Sequence, residues 1–231
     1  MVSEARGLSV VSGEGLTKTY KRNAEQVHAL RSVELTLYPG ELVALVGPSG
    51  SGKSTLLNVL CGWERADAGA LFWGGELAGR RAEDLTWSEL ALIPQALGLL
   101  DDLTVGENVA LPARLTRRRG VLADEATALM TSVGIAHLVD RYPKQASLGE
   151  QQRCCVSRAL LLNPRIVLAD EPTAHQDAHW TEVIFRAFRE LVRAGSVCLI
   201  ATHNPQTWQY ADRILSMHDG ELREGAPAPV H

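Results

Sequence analysis

Gly47-Pro48-Ser49-Gly50-Ser51-Gly52-Lys53-Ser54 is the stretch that decides how this 231-residue chain is read. It satisfies the pattern G-x-x-x-x-G-K-[ST]. It stands directly after the unbroken apolar run Leu42-Val43-Ala44-Leu45-Val46 and directly before Thr55-Leu56-Leu57-Asn58-Val59-Leu60, which has helical character. A continuous apolar run ended by glycine suits a strand buried on both faces of a parallel sheet. Strand, loop and helix in that order are the context that gives the pattern mechanical meaning. Glycines let the loop's N–H groups turn toward phosphate oxygens, and the helix dipole behind them favours negative charge. Lys53 adds a point charge for β- and γ-phosphates, and the Ser54 hydroxyl is a ligand suited to Mg²⁺. Gly47 to Ser54, with Thr55 behind them, are therefore expected to bind ATP with Mg²⁺. The bland alternative, a Gly/Ser-rich turn with a chance lysine, is disfavoured by the flanking strand and helix.

Working outward, Arg165-Ile166-Val167-Leu168-Ala169 and Ser196-Val197-Cys198-Leu199-Ile200-Ala201 repeat the apolar pattern, each set apart by helix-like segments. This is the arrangement of an α/β core with a parallel sheet. Val33-Glu34-Leu35-Thr36-Leu37 alternates and reads as a half-buried strand before a turn at Pro39-Gly40. Helical spacing at Val105 to Leu115 and Asp124 to Val133 points to an inserted helical subdomain, about 95–162, inside a single domain spanning 1–231. Arg213 to Met217 and Glu221 to Arg223 flank Asp219-Gly220, a hairpin signal. The proline-containing tail from Ala226 to His231 is expected to fray.

Composition narrows the class. Hydrophobic residues at 45% and charged residues at 22% are ordinary for a globular chain, and no apolar run reaches the length of about 18 needed to span a bilayer. A formal net charge of −4 argues against a chain whose main task is to neutralise phosphate backbones, so no nucleic-acid partner is expected. The run Arg117 to Arg119 reads as a solvated loop between helices. Met1 to Gly7 lacks the pattern of a secretory signal, which makes the cytoplasm the expected compartment. Cys61, Cys154, Cys155 and Cys198 show no C-x-x-C spacing and read as buried free thiols.

The run Ile166 to Ala169 ends in Asp170-Glu171, which sets two carboxylates at the carboxyl edge of a parallel sheet, where ligands sit in open α/β folds. Asp170 is expected near Mg²⁺, and Glu171 can polarise an attacking water. His203 follows the third buried run at the same edge and Gln95 follows Ala91-Leu92-Ile93. Either one, taken alone, is more often a structural residue. His175 and His179 have the i,i+4 spacing of a metal pair only if the segment is helical, and no third ligand is evident. Trp63, Trp73, Trp87, Trp180 and Trp208 have no regular spacing and read as packing residues.

Ser147-Leu148-Gly149-Glu150-Gln151-Gln152-Arg153 resembles the S-G-G-[QE]-Q-x-R signature of the ATP-binding cassette (ABC) transporters, and the resemblance to their nucleotide-binding subunits runs from about Leu16 to Glu224. It implies a P-loop NTPase-type parallel sheet core with an antiparallel β subdomain and an inserted helical subdomain. By that resemblance Tyr20 stacks on adenine, Gln95 senses Mg²⁺ or water, Glu171 is the base, and His203 contacts the γ-phosphate. Asp177, closing Ala174-His175-Gln176-Asp177, belongs to the loop that crosses a dimer interface. Ser147, Gly149 and Glu150 complete the phosphate site of a second subunit, in a homodimer or heterodimer. Ser147 and the N–H groups near Gly149 precede a helical pattern, Gln151 to Leu162, and so offer a second anion-binding helix start. The implied partner is a membrane-embedded permease on a separate chain, with this subunit on the cytoplasmic face of the membrane. The segment Lys21 to His28, together with Leu103 to Pro112, is similar to the macrolide-export and lipoprotein-release branch.

Two other readings stay open on the residues alone. One is a regulatory cassette whose ATP-dependent dimerisation signals to a cell-envelope or division machine. The other is a soluble cassette ATPase acting on DNA, ribosomes or iron–sulfur assembly, which the lack of sustained heptads disfavours. Leu148 stands where the signature has its first glycine, and Ala146 where leucine is usual. The expectation is that Leu148 crowds the opposing phosphate or is forced into dihedrals it dislikes, so that catalysis is weakened or the subunit pairs with a different one.

Overall fold

The computed structural model describes residues 9–22, 25–116 and 122–226. The run Arg117 to Arg119, the segment Met1 to Gly7 and the tail beyond Ala226 lie outside the described residues.

The apolar runs form the centre of the molecule. Strand β3 (Leu42–Val46) is buried throughout, as are β6 (Ile166–Asp170) and β7 (Val197–Thr202). With β5 (Leu90–Ile93), β8 (Arg213–His218) and β9 (Glu221–Glu224) they make a six-stranded sheet of order β5-β6-β7-β3-β8-β9, parallel except for the last pair. Register decides what this sheet can do. Val46 is level with Thr202, and Asp170 with Ala201. The loops that begin at Gly47, Glu171 and His203 therefore leave one carboxyl edge side by side. At the same edge Asp219 and Gly220 close the β8–β9 hairpin with φ of 48° and 81°, the two positive values that a type I′ turn requires.

A second, antiparallel sheet has the order β2-β1-β4, from β1 (Val11–Arg22), β2 (Glu25–Leu37) and β4 (Ala68–Trp73). Residue patterning marks the end of β2 but not β1, because β1 slips register against β2 three times and so breaks any period of two.

Helix α1 (Lys53–Leu60) packs Leu56, Leu57 and Leu60 into one cluster with Leu30, Leu37 and Leu45, which joins the two sheets. On the other face of the large sheet, α4 (Leu148–Leu160) and α5 (Ala178–Arg193) bury Val156, Leu160, Phe185 and Phe188. Helices α2 (Val105–Leu115) and α3 (Leu122–Ser132) share a third cluster with α4 through Val109, Met130, Ile135 and Cys154. The four cysteines are buried and free, and burial pushes the Cys154 and Cys198 thiols up to about 12. Trp73 is buried in the core, whereas Trp63 is 67% exposed.

The entry to α2 is built on Asn108, which is fully buried. Its Nδ2 donates to the carbonyls of Leu100, Leu103 and Thr104, and its Oδ1 accepts from the N–H of Leu100. Replacing it by leucine strands these backbone groups in the interior, so Asn108→Leu is expected to cost about 3 kcal/mol, read as a lowered urea midpoint.

Candidate nucleotide-binding and hydrolysis site

The phosphate loop runs from the end of β3 to the first residue of α1. Gly52 is the N-cap of α1 at φ 110°, and a Cβ there would lie 2.2 Å from the carbonyl oxygen of Ala29. No side chain fits that approach. A Cβ on Gly47 would lie 2.1 Å from the carbonyl oxygen of Met217. The loop is braced by the β8–β9 turn, since the N–H of Gly220 donates to Ser51 O at 3.0 Å and the N–H of Arg31 to Gly220 O at 2.8 Å. This brace was not legible in the sequence. Lys53 is 8% exposed, and its Nζ donates to Gly47 O at 2.8 Å and Pro48 O at 2.9 Å, which folds its charge back over the loop. Burial lowers its pKa, and the carboxylates of Glu171 and Asp170 oppose that shift.

Asp170 ends β6 in a buried position, and burial raises its pKa against a hydrogen bond from the Ser54 hydroxyl. Glu171 follows at φ 50°, a left-handed backbone that costs a non-glycine residue about 1 kcal/mol or more and is held where the surroundings over-determine it. Here the N–H of Glu171 donates to Ala201 O at 2.9 Å, and Glu171 Oε1 accepts from the N–H of His203 at 2.9 Å. Nδ1 of His203 lies 2.6 Å from the same oxygen. The carboxylate and the imidazole expected separately from the sequence thus form one unit. Gln95 lies exposed in the bend after β5, whose Ile93 is level with Ala169, and so belongs to the same edge.

Tyr20 sits on β1 with its hydroxyl donated to Glu64 and within hydrogen-bonding reach of Thr55, the third residue of α1. Burial, with Glu64 beside it, raises the Tyr20 pKa. Glu64, which also accepts from Asn58 Nδ2 at 3.3 Å, is a site residue the sequence reading missed.

Ser147 is the N-cap of α4. Its Oγ accepts from the N–H of Glu150, and Glu150 Oε2 accepts from the Ser147 N–H at 2.8 Å and from Oγ at 2.7 Å. This capping box starts the helix at Leu148, earlier than the expected Gln151, and S-x-x-E was the signal that would have shown it. The expectation of unfavourable dihedrals at Leu148 is corrected by the same fact, because Leu148 lies in the helix and is absent from the residues with positive φ. Its side chain is 48% exposed. No hydrogen bond or ion pair among the described residues joins Ser147, Gly149 or Glu150 to the phosphate loop of the same chain. Asp177 caps α5, accepting from the N–H of Trp180 at 2.9 Å. His175 lies in the turn before that helix, so it and His179 do not share a helix face, and no metal-holding cluster of His, Cys, Asp or Glu occurs among the described residues.

The residues fit a bound nucleotide. The hydroxyl of Ser51 is buried without a hydrogen-bond partner among the described residues, Gly47 and Gly52 leave no room for side chains, and Lys53 is desolvated behind them. Ser54 and Asp170 place a hydroxyl and a carboxylate together, the hard oxygen donors that Mg²⁺ takes beside phosphate oxygens.

Comparison with known proteins agrees with this geometry. The family model described as ABC transporter matches residues 30–174. The lipoprotein-releasing system ATP-binding protein LolD 2 of Caulobacter vibrioides is 37% identical over 219 residues, covering 92% of this chain and 96% of that one. The macrolide export ATP-binding/permease protein MacB of a Shewanella species is 38% identical over 94% of this chain and 35% of its own greater length. Among solved structures, a dimeric ATP-binding cassette in a post-hydrolysis state bound to ADP and Pi superposes with a TM-score of 0.82 and 31% identity, covering 93% of this chain and 97% of that one. No helix of the described residues is long and apolar enough to cross a membrane. The chain belongs to the ABC transporter family and is an ATP-hydrolysing cassette of it.

Proposed function

We propose that this chain is one of two cassettes that close over MgATP and that it powers a separate, membrane-embedded permease from the cytoplasmic face of the membrane. The observation that carries the reading is that Lys53, Asp170 and the Glu171–His203 unit converge on one sheet edge, while Ser147 and Gly149 open α4 with no hydrogen bond or ion pair to the phosphate loop among the described residues. One chain then has a phosphate cradle and, apart from it, a second helix start suited to an anion. A dimer brings the two kinds of site together.

Within each site the loop N–H groups and Lys53 bind the β- and γ-phosphates, with Tyr20 flanking the adenine beside Thr55. Glu171 draws a proton from the attacking water, His203 orients Glu171 and reaches the γ-phosphate, and Gln95 meets the water from the next strand. Ser54 and Asp170 would hold Mg²⁺, which when bound neutralises charge developing between the β- and γ-phosphates. Ser147, Gly149 and Glu150 face the nucleotide of the other subunit, and Asp177 fixes the loop that meets it. The exposed Leu148 crowds that approach, which favours slow turnover in a homodimer or pairing with a different subunit. ATP favours the closed pair and hydrolysis removes the preference, a population shift that the helical insertion at 95–162 passes to the permease. The names of the relatives support the lipoprotein-release and macrolide-export branch, with cargo chosen by the permease.

Phosphate release by the purified chain is expected to fall at least about a hundredfold when EDTA is added, and sedimentation with ATP is expected to show a dimer. Metal-independent hydrolysis, or a chain that stays monomeric at saturating ATP, would reject the reading.

A further inference from the structure

The turn between Glu171 and α5 carries a side chain that none of these roles uses. Gln176 reaches from it to α4, where its Nε2 donates to the carbonyl of Gly149 at 2.8 Å and its Oε1 accepts from Arg153 Nη1 at 2.8 Å. A primary amide is a donor and an acceptor at once, so this one group satisfies both a backbone carbonyl and a cation on the same helix. The two backbones also touch, since a Cβ on Gly149 would lie 2.9 Å from the carbonyl oxygen of His175.

Arg153 has little freedom to leave. It is 6% exposed, and its guanidinium lies 4.1 Å from the centre of the Trp180 ring. That ring is itself seated over Gly134, where a Cβ would be 2.1 Å from it. The Arg153 Nε has no hydrogen-bond partner among the described residues, so the bond to Gln176 is a principal polar contact of a desolvated charge. The other end of the turn is tied to the sheet. Ala174 N–H donates to Glu171 O at 3.1 Å, Gln176 N–H to Thr173 O at 3.2 Å, and Glu171 N–H to Ala201 O on β7. A path of hydrogen bonds runs from the sheet, through the loop that carries Glu171, to the first turn of α4.

We infer that Gln176 is a positioning residue that locks the first turn of α4, with Ser147 and Gly149, to the loop carrying Glu171. The inference rests on the proposed function in one respect. There, Glu171 serves the chain's own phosphate loop and the start of α4 serves the other subunit's, so the lock links two hydrolysis sites through one chain. Movement of either loop is transmitted to the opposite site with little slack.

The test uses Gln176→Leu in the full chain, which keeps the side-chain volume and removes both hydrogen bonds at a partly exposed position. Amides of residues 148–152 are expected to exchange hydrogen about fivefold faster in the nucleotide-free protein, with residues 47–54 unchanged. In ATP hydrolysis kcat is expected to fall about tenfold, while KM and the affinity for a fluorescent ATP analogue stay within about twofold. Unchanged exchange together with a kcat within about twofold of the parent overturns the inference, and so does a parallel loss of nucleotide affinity, which marks general damage. A parent chain that neither hydrolyses ATP nor dimerises rejects the proposed function instead, and the exchange measurement then still decides whether the lock exists.

Discussion

Glu171→Gln is expected to lower steady-state ATP hydrolysis by about a thousandfold, within the range that removing a positioned general base produces, while ATP still binds. The substitution is nearly isosteric. The new amide oxygen can still accept from the His203 N–H, as Glu171 Oε1 does at 2.9 Å, and the backbone bond to Ala201 is untouched. What disappears is the carboxylate that can take a proton from water. The left-handed backbone at φ 50° aims the side chain and is set by the bonds on either side of it, so the loop should keep its course. Since the phosphate cradle is unaltered, the ATP-bound dimer should accumulate, and sedimentation in ATP should show more dimer than in the parent. Phosphate release within about tenfold of the parent would reject Glu171 as the base.

Lys53→Ala is expected to weaken ATP binding by about a hundredfold or more, which corresponds to about 3 kcal/mol of charge-assisted hydrogen bonding. Its Nζ is held at 2.8 and 2.9 Å from the carbonyls of Gly47 and Pro48 in a buried setting, so the cation is already desolvated and aimed before a phosphate arrives. Little reorganisation is then needed on binding. Removing it also leaves two carbonyl oxygens and the buried Ser51 hydroxyl in a cradle without a cation. Titration with a fluorescent nucleotide measures the loss, and a thermal melt shows that the fold persists. An unchanged affinity in the folded variant would count against the cradle.

These two expectations draw on residues whose roles were legible early, and others were not. The phosphate loop is a contiguous segment between two elements with clear periodicity, so its chemistry could be read without knowing the fold. Asp170, Glu171 and His203 were legible as strand ends, because an unbroken apolar run announces a buried strand and its last residue announces the edge. That Glu171 and His203 share one carboxylate oxygen was not legible, since it depends on β6 and β7 being adjacent and in step. Glu64 gave no signal at all, because it lies in the loop after α1 and its partner Tyr20 is 44 residues away on β1.

The amino-acid sequence by itself determined the buried strands, the phosphate loop, the Asp219-Gly220 turn and membership of the family, because each depends on residues close together in the chain. Its S-x-x-E pair at Ser147 and Glu150 also determined where α4 begins. Only the tertiary structure decided that the Asp219-Gly220 turn braces the phosphate loop through Ser51, that Tyr20 is anchored by Glu64, and that Gln176 ties the loop of Glu171 to α4. The physical reason is range: local patterns set backbone conformation, but which side chains meet depends on strand order and register, which are settled only when the whole core packs.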